Sequence, residues 1–307
     1  MLRQGFLFLS ESSMARTLVT NAPFARWAAR RFVAGEEIAD AITAARTLNT
    51  RGMTVSLDYL GESVSSRAEA TAAADTYLRI IDALVTEGID GNVSLKLTQM
   101  GQDIDEQFLH DNVRRVLDRA GDHGMFVRFD MESSDYVQRT LDFFERVRAD
   151  GYDNCGIVLQ SYLYRTHDDA RHANERGARV RLCKGAYAEP ESVAFPQKAE
   201  ADANFVRVMK LLLEHGTYPG IATHDEAMIE ATKTFARDRG IDPARFEFQM
   251  LYGIRRDLQK QLVEEGWRLR IYIGFGKAWY PYFMRRLAER PANVFFLANS
   301  VFREAFR

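Results

Sequence analysis

Only two cysteines occur in the 307 residues, Cys155 and Cys183, both within apolar runs and with no CxxC pair anywhere. That excludes a disulfide framework and a zinc-ribbon spacing, and leaves two thiols expected to be buried in a protein of the reducing cytoplasm. Long apolar runs are missing too. Nothing approaches the roughly 18 consecutive apolar residues needed to span a bilayer, and the run that opens the chain lacks the length and cleavage pattern of a secretory signal. A surplus of one charge is also absent. Lys and Arg number 41 against 43 Asp and Glu, a net charge of -2, and no basic stripe marks a nucleic-acid partner. The GxSxG elbow of serine hydrolases does not occur. Gly274-Phe-Gly276-Lys-Ala-Trp279 carries tryptophan where a dinucleotide fingerprint needs its third glycine. No Pro/Gly/Ser linker interrupts the chain, so one principal domain is expected.

What remains is 46% hydrophobic and 27% charged, a globular rather than a disordered composition. Residues 2–49 read as helices, with 3.6-type spacing in 24–32 and 36–48 on either side of Gly35. They form a helical arm, 1–50, ahead of a main domain, 51–307. From Met53 onward one unit repeats. Short runs rich in Val, Ile, Leu or Phe occupy 53–57, 92–97, 125–129, 155–159, 179–182, 218–222, 245–250 and 269–273. Helical patterns fill 66–86, 106–119, 133–149, 166–176, 200–215, 225–239, 253–265 and 277–289, with Ser133, Thr166 and Asp225 placed as N-caps. Strand–helix alternation means βαβ units and a parallel sheet. Eight units in this length match an α/β fold of the (β/α)8 TIM-like barrel class better than an open doubly wound sheet.

A barrel of this kind works at the carboxyl ends of its strands. Those ends carry Asp58, Lys96, Asp130, Gln160, Arg181 with Lys184, Thr223-His224, Gln249 and Tyr272. A polar group closing nearly every buried run points to an enzyme, because buried polar groups need partners. The ring itself leaves several chemistries open. Lys96 or Lys184 would form a Schiff base if burial lowered its pKa. Asp130, Glu132 and His224 are candidate metal ligands. Arg181, Lys184 and His224 are cationic groups suited to an anionic cofactor. A non-catalytic amino-acid-binding barrel would need only an anion grip. The eighth helix offers such a grip, since Tyr282, Arg285, Arg286 and Glu289 share one face by their i, i+3, i+4, i+7 spacing. Trp279, Phe283 and Leu287 form a separate apolar stripe. A solvated amphipathic helix is the alternative.

In combination and in this order, several motifs resemble the proline dehydrogenase family. They are Asp58-Tyr-Leu-Gly-Glu62, Val93-Ser-Leu-Lys96-Leu, Arg128-Phe-Asp130-Met-Glu132, Gly156-Ile-Val-Leu-Gln160, Arg181-Leu-Cys-Lys184-Gly-Ala-Tyr187, Thr223-His224, Phe248-Gln249-Met250-Leu251 and Tyr282-x-x-Arg285-Arg286-Leu-x-Glu289. The resemblance covers about residues 57 to 293, and the absence of an aldehyde dehydrogenase domain after Arg307 points to the short monofunctional bacterial type. Ala188 stands where bifunctional relatives often have tryptophan. The resemblance implies a distorted barrel with non-covalent FAD and the eighth helix laid over the mouth. It implies oxidation of L-proline to Δ1-pyrroline-5-carboxylate by hydride transfer to the flavin, with a membrane quinone as electron acceptor. Lys96, Arg285, Arg286 and Glu289 belong to the substrate side, with Leu251, Tyr272 and Tyr282 around the ring. Asp130 and Arg181 are the implied catalytic residues, Asp130 aligning Lys96 and Arg181 lying beside the flavin. Met131, Gln160, Lys184, Gly185, Ala186, Thr223 and His224 complete the cofactor set. Glu62 and Arg285 form an ion pair that gates the pocket. No metal is implied. Val294-Phe-Phe-Leu297 and Val301-Phe302 are candidates for peripheral membrane contact, with core packing as the alternative.

Overall fold

The computed structural model describes the backbone of residues 29–289 and the side chains of 29–284. Residues 1–28 and 290–307, with the proposed membrane-contact segment, lie outside the described residues, as do the side chains of Arg285, Arg286, Leu287 and Glu289.

Eight parallel strands close into a barrel in sequence order. They are β1 Thr54–Tyr59, β2 Gly91–Leu95, β3 Val127–Phe129, β4 Cys155–Gln160, β5 Arg179–Cys183, β6 Gly220–Ala222, β7 Glu247–Leu251 and β8 Leu269–Phe275. Closure comes from β1 pairing with β8, Thr54 through Tyr59 against Arg270 through Phe275. Helices Arg67–Thr86, Glu106–Gly121, Ser134–Ala149, Thr166–Glu175, Lys198–His215, Glu226–Asp238, Arg256–Glu264 and Trp279–Glu289 follow the strands in turn, with a short extra helix, Leu97–Met100, directly after β2. Among the described residues no helix is long and apolar enough to cross a membrane.

The strands alternate with period two, and the alternation divides the molecule. Val55, Leu57, Val93, Leu95, Val127, Phe129, Ile157, Leu159, Val180, Leu182, Phe248, Met250, Ile271 and Ile273 belong to one buried cluster shared with the surrounding helices. The intervening positions Ser56, Asp58, Ser94, Arg128, Asp130, Arg181, Glu247 and Gln249 are as deeply buried yet polar or charged. Barrels of this class fill their interior mainly with branched apolar side chains. Here the apolar core is the layer between strands and helices, and the barrel axis is a hydrogen-bonded polar column.

Helix starts show where local reading succeeded and where it did not. Asp225 is a cap, its Oδ1 accepting from Ala227 N–H at 3.0 Å. Ser133 occupies the cap position of helix Ser134–Ala149 but makes no capping bond with its side chain. The part-buried amide of Ser134 instead donates 2.8 Å to Glu189, far along the chain. Thr166 lies one position inside its helix, and its hydroxyl donates to Gln160 O. The third strand begins at Val127 rather than 125 because Met125 N–H is taken by Ala120 O in the turn that ends the preceding helix. Cys155 is buried as expected, whereas Cys183, at the mouth end of β5, is partly exposed.

Helix Ile38–Asn49 contributes Ala41, Ile42, Ala45 and Leu48 to the main cluster. Just before it, Ala34 N–H donates 3.0 Å to Gly274 O and Gly276 N–H donates 3.0 Å to Gly35 O. Ala29, Phe32 and Val33 join a second apolar cluster with Leu60, Ile254, Trp279, Tyr280, Tyr282, Phe283 and Met284. Leu60 and Ile254 sit on loops after β1 and β7, so the start of helix Trp279–Glu289 is seated at the carboxyl end of the barrel.

Candidate active site

Asp130, just beyond β3, collects the polar column. Its Oδ1 accepts from Ser94 Oγ at 2.6 Å and from Arg181 Nη1 at 2.7 Å, and its Oδ2 accepts from Tyr272 OH at 2.6 Å. Lys96 Nζ lies 3.7 Å from Oδ2 of Asp130 but closer, 3.4 Å, to Oδ2 of Asp58. Strands β1, β2, β3, β5 and β8 thus meet at two carboxylates. The column continues inward. Arg181 Nε donates 2.5 Å to Gln249, whose amide donates 2.6 Å to Glu247, and Glu247 accepts from Arg270 Nε at 2.7 Å. Gly220 makes this possible, since a Cβ there would stand 2.5 Å from Gln249 Nε2. From Asp130 through Arg181 and Glu247 to Arg270 the charges alternate, which offsets the desolvation of these buried ions, while Arg128 is satisfied by the carbonyls of Ile157 and Arg179.

These partners set the protonation states. Burial pushes Asp130 up, but Arg181, then Lys96, and hydrogen bonds from Ser94 and Tyr272 outweigh it and hold the carboxyl below its ordinary value. Asp58 goes the other way, because burial outweighs the attraction of Lys96 and the charge of Asp130 adds to the rise. Burial would drive Lys96 toward the free amine, yet Asp58, Asp130 and Glu62 overcome it and raise the ammonium above its ordinary value. A lysine held this firmly as a cation is a poor Schiff-base nucleophile and a good anion ligand. Glu132, two residues beyond Asp130, is pushed up to about 7, chiefly by burial.

The residues weighed for a metal do different work. Glu132 accepts 2.9 Å from Thr98 Oγ1, and His224 Nε2 accepts 2.9 Å from Leu251 N–H, which leaves the proton of a neutral ring on Nδ1. Among the described residues no group of three His, Cys, Asp or Glu comes together as a ligand set.

The candidate cofactor residues gather on the β3 to β6 side of the mouth. Met131 is buried against Val158 and Leu163. Gln160 donates from Nε2 to Glu132 O at 3.1 Å and to Met131 O at 3.4 Å, which fixes its amide. Its Oε1 is then a buried acceptor with no partner among the described residues. Thr223 is buried and accepts 3.1 Å from Asp225 N–H. Lys184 is ion-paired with Asp202 and, at 2.7 Å, with Asp225, while Gly185 and Ala186 are half-buried beside it. An orphaned acceptor at the end of β4, with a guanidinium, a lysine and a hydroxyl on or just beyond the neighbouring strands β5 and β6, is a set of polar groups that fits a flavin dinucleotide, which offers an imide N–H and a pyrophosphate. Lys184 would have to exchange an aspartate for phosphate.

The ring side of the site also assembles. Leu251 and Tyr272 pack against the apolar cluster that contains Tyr282, which is 6% exposed. The aromatic packing of helix Trp279–Glu289 is broader than one stripe, because Tyr280, Tyr282 and Met284 are buried alongside Trp279 and Phe283. Arg285, Arg286 and Glu289 follow on the same helix with side chains outside the described residues. Glu62 is half-buried on the loop after β1, close enough to Lys96 to raise its pKa.

Several site residues escaped notice in the sequence. Ser94 is the second ligand of Asp130 Oδ1, and Tyr77, from the first barrel helix, places its hydroxyl 2.8 Å from Ser94 O and 3.3 Å from Asp58 Oδ1. Ser94 had a signal, since it shares a strand face with Lys96 two residues on. Tyr77 had none, lying mid-helix among apolar residues.

Comparison with known proteins is consistent in one direction. The family model described as Proline dehydrogenase matches residues 41–299. Proline dehydrogenase 2 of Bacillus subtilis (strain 168) is 41% identical over 294 residues, 96% of each chain. The proline dehydrogenase of Deinococcus radiodurans is 44% identical over 277 residues, 89% of each chain. Among solved structures, proline utilization A from Bdellovibrio bacteriovorus, inactivated by N-propargylglycine, superposes with a TM-score of 0.80 at 28% identity. That match covers 89% of this chain and 33% of that longer one.

Proposed function

The chain belongs to the proline dehydrogenase family, and from that premise we propose that it oxidises L-proline to Δ1-pyrroline-5-carboxylate with non-covalent FAD, electrons passing on to a quinone. When bound, FAD supplies the hydride acceptor and the route for electrons out of the site. The protein contributes binding, orientation and charge. One observation carries the reading: Lys96, Asp130, Arg181 and Tyr272 are joined in a single buried cluster at the barrel mouth, beside the apolar pocket of Leu251 and Tyr282.

Each residue then has a task. Lys96, kept cationic by Asp58 and Asp130, binds the proline carboxylate together with Arg285 and Arg286. Tyr272, its hydroxyl spent on Asp130, turns an aromatic wall to the pyrrolidine ring, with Leu251 and Tyr282 as the other walls. The amine must be neutral to release hydride, and Asp130 is already committed to Ser94, Arg181, Tyr272 and the Lys96 ammonium, so it is not free to hold the substrate amine as an ammonium. Arg181 carries a fixed positive charge, anchored by Asp130 and Gln249, that would favour an anionic cofactor bound beside it. Gln160, Thr223, Lys184, Gly185, Ala186, Met131 and His224 hold the remainder of FAD, and Glu62 with Arg285 closes the pocket. Any association with a membrane is peripheral.

Purified protein should be yellow with a two-banded visible spectrum that proline bleaches in the absence of oxygen. A colourless preparation that takes up no added FAD would remove the flavin reading.

A further inference from the structure

The loop that carries Glu62 is clasped on both sides by the short helix Leu97–Met100. Ahead of Glu62, Gln99 Nε2 donates to Tyr59 O at 3.0 Å. The same amide lies against Gly61, where a Cβ would stand only 2.4 Å from Nε2, so a side chain there would displace the Gln99 amide from this contact. Behind Glu62, Ser63 N–H donates 3.0 Å to Thr98 Oγ1. Ser63 holds a φ of 53°, the left-handed region disfavoured for a residue with a Cβ, so its backbone needs that external hold. Thr98 is itself fixed from β3, its hydroxyl donating 2.9 Å and its amide 3.4 Å to the two oxygens of Glu132. The hydroxyl proton is committed to Glu132 and a lone pair to Ser63, so the three groups form one directed relay. Thr98 and Gln99 are almost wholly buried, at 0% and 2% exposure, and Lys96 is the residue that caps their helix, two positions before Thr98.

We propose that Thr98 and Gln99 are positioning residues for Glu62, fixing the loop after β1 on either side of it so that the carboxylate is presented toward Lys96 and the proline site. The proposal rests on the reading of Glu62 as the gate partner of Arg285. Neither Thr98 nor Gln99 needs to touch substrate. With the clasp broken, the loop samples other positions, and each binding event must bear the cost of ordering it. That cost falls on the capture of proline rather than on the chemical step, which takes place with the pocket closed.

The test is KM and kcat for proline in the flavin-loaded enzyme, for Thr98→Val, Thr98→Ser and Gln99→Met, each alone and combined with Glu62→Ala. Thr98→Val and Gln99→Met should each raise KM about fivefold with kcat within about twofold of the parent, as expected for losing the one hydrogen bond each makes to the Glu62 loop. Thr98→Ser, which keeps the hydroxyl, should restore KM. In the Glu62→Ala background neither substitution should add to the effect, because the carboxylate they position is gone. If Glu62→Ala raises KM and Thr98→Val and Gln99→Met do not, the positioning role is wrong and the gate stands. Equal effects with and without Glu62 would assign the clasp a general structural role and overturn the proposal. An unchanged KM in Glu62→Ala itself would remove the gate, and the proposal with it.

Discussion

Asp130→Asn is the perturbation that most directly interrogates the polar column. The substitution preserves shape but leaves one acceptor oxygen where two now serve three hydrogen bonds and Lys96. If the amide oxygen stays with Ser94 and Arg181, the NH2 group faces the Tyr272 hydroxyl and the Lys96 ammonium, both of them donors. Arg181 and Lys96 lose a shared counterion at sites where their side chains are 8% and 10% exposed. Breaking a buried ion pair costs about 3–5 kcal/mol, and the retained acceptor places this variant near 3 kcal/mol. For a chain of this size that is roughly 2 °C per kcal/mol, or about 6 °C in Tm. Two graded controls follow from the same oxygens. Tyr272→Phe removes one charge-assisted bond, about 2 kcal/mol, and Ser94→Ala a smaller hydroxyl contribution, about 1 kcal/mol. Because Asp130 is held below its ordinary pKa, its contribution is fully present above its unfolded value and is lost only as pH falls through the folded one. The stability gap between parent and Asp130→Asn should therefore be flat from about pH 5 to 8. KM for proline should rise about tenfold as Lys96 loses its alignment, equivalent to ~1.4 kcal/mol. Differential scanning calorimetry and initial rates with a dye acceptor measure both. A Tm within about 1 °C of the parent, with KM within about twofold, would refute the idea that Asp130 organises the site.

Glu132→Gln should show the opposite pH behaviour. A carboxyl raised to about 7 favours the fold while protonated and loses that advantage as pH climbs from its unfolded value toward 7 and beyond, at most about 3 kcal/mol. The glutamine variant should match the parent near pH 5 and exceed it in Tm at pH 8, and equal curves would place the Glu132 titration elsewhere. Arg286→Ala should raise KM for proline at least ~30-fold while the protein stays yellow, as truncating one partner of a buried charge pair costs about 2–5 kcal/mol. A KM within about twofold of the parent would return helix Trp279–Glu289 to a purely structural role. With Tyr272 and Tyr282 proposed as walls of the ring pocket, proline should be preferred to 4-hydroxyproline, and equal kcat/KM for the two substrates would reject that assignment.

The eight units, their order and most of their limits were legible in the sequence because they rest on local periodicities. Period two in Val55–Leu57 or Ile271–Ile273 and period 3.6 in the helices express how neighbouring residues partition between core and surface. The ends of the same apolar runs pointed to Asp58, Lys96, Asp130 and Arg181, although Arg181 lies at the middle of β5. The partners of those groups were not legible, because hydrogen bonding across a closed barrel depends on strand register and shear, to which no local pattern refers. Only the folded chain sets Lys96 nearer to Asp58 than to Asp130, and that proximity is what keeps the lysine a cation rather than a nucleophile. Ser133 looked like a cap because local preference favours serine there, yet Glu189, 55 residues beyond Ser134, reaches that helix start instead. Tyr77, Thr98 and Gln99 were silent for the same reason. Each acts on a residue 17 to 40 positions away in sequence, and only the pairing of β1 with β2 and of β2 with β3 brings them into reach.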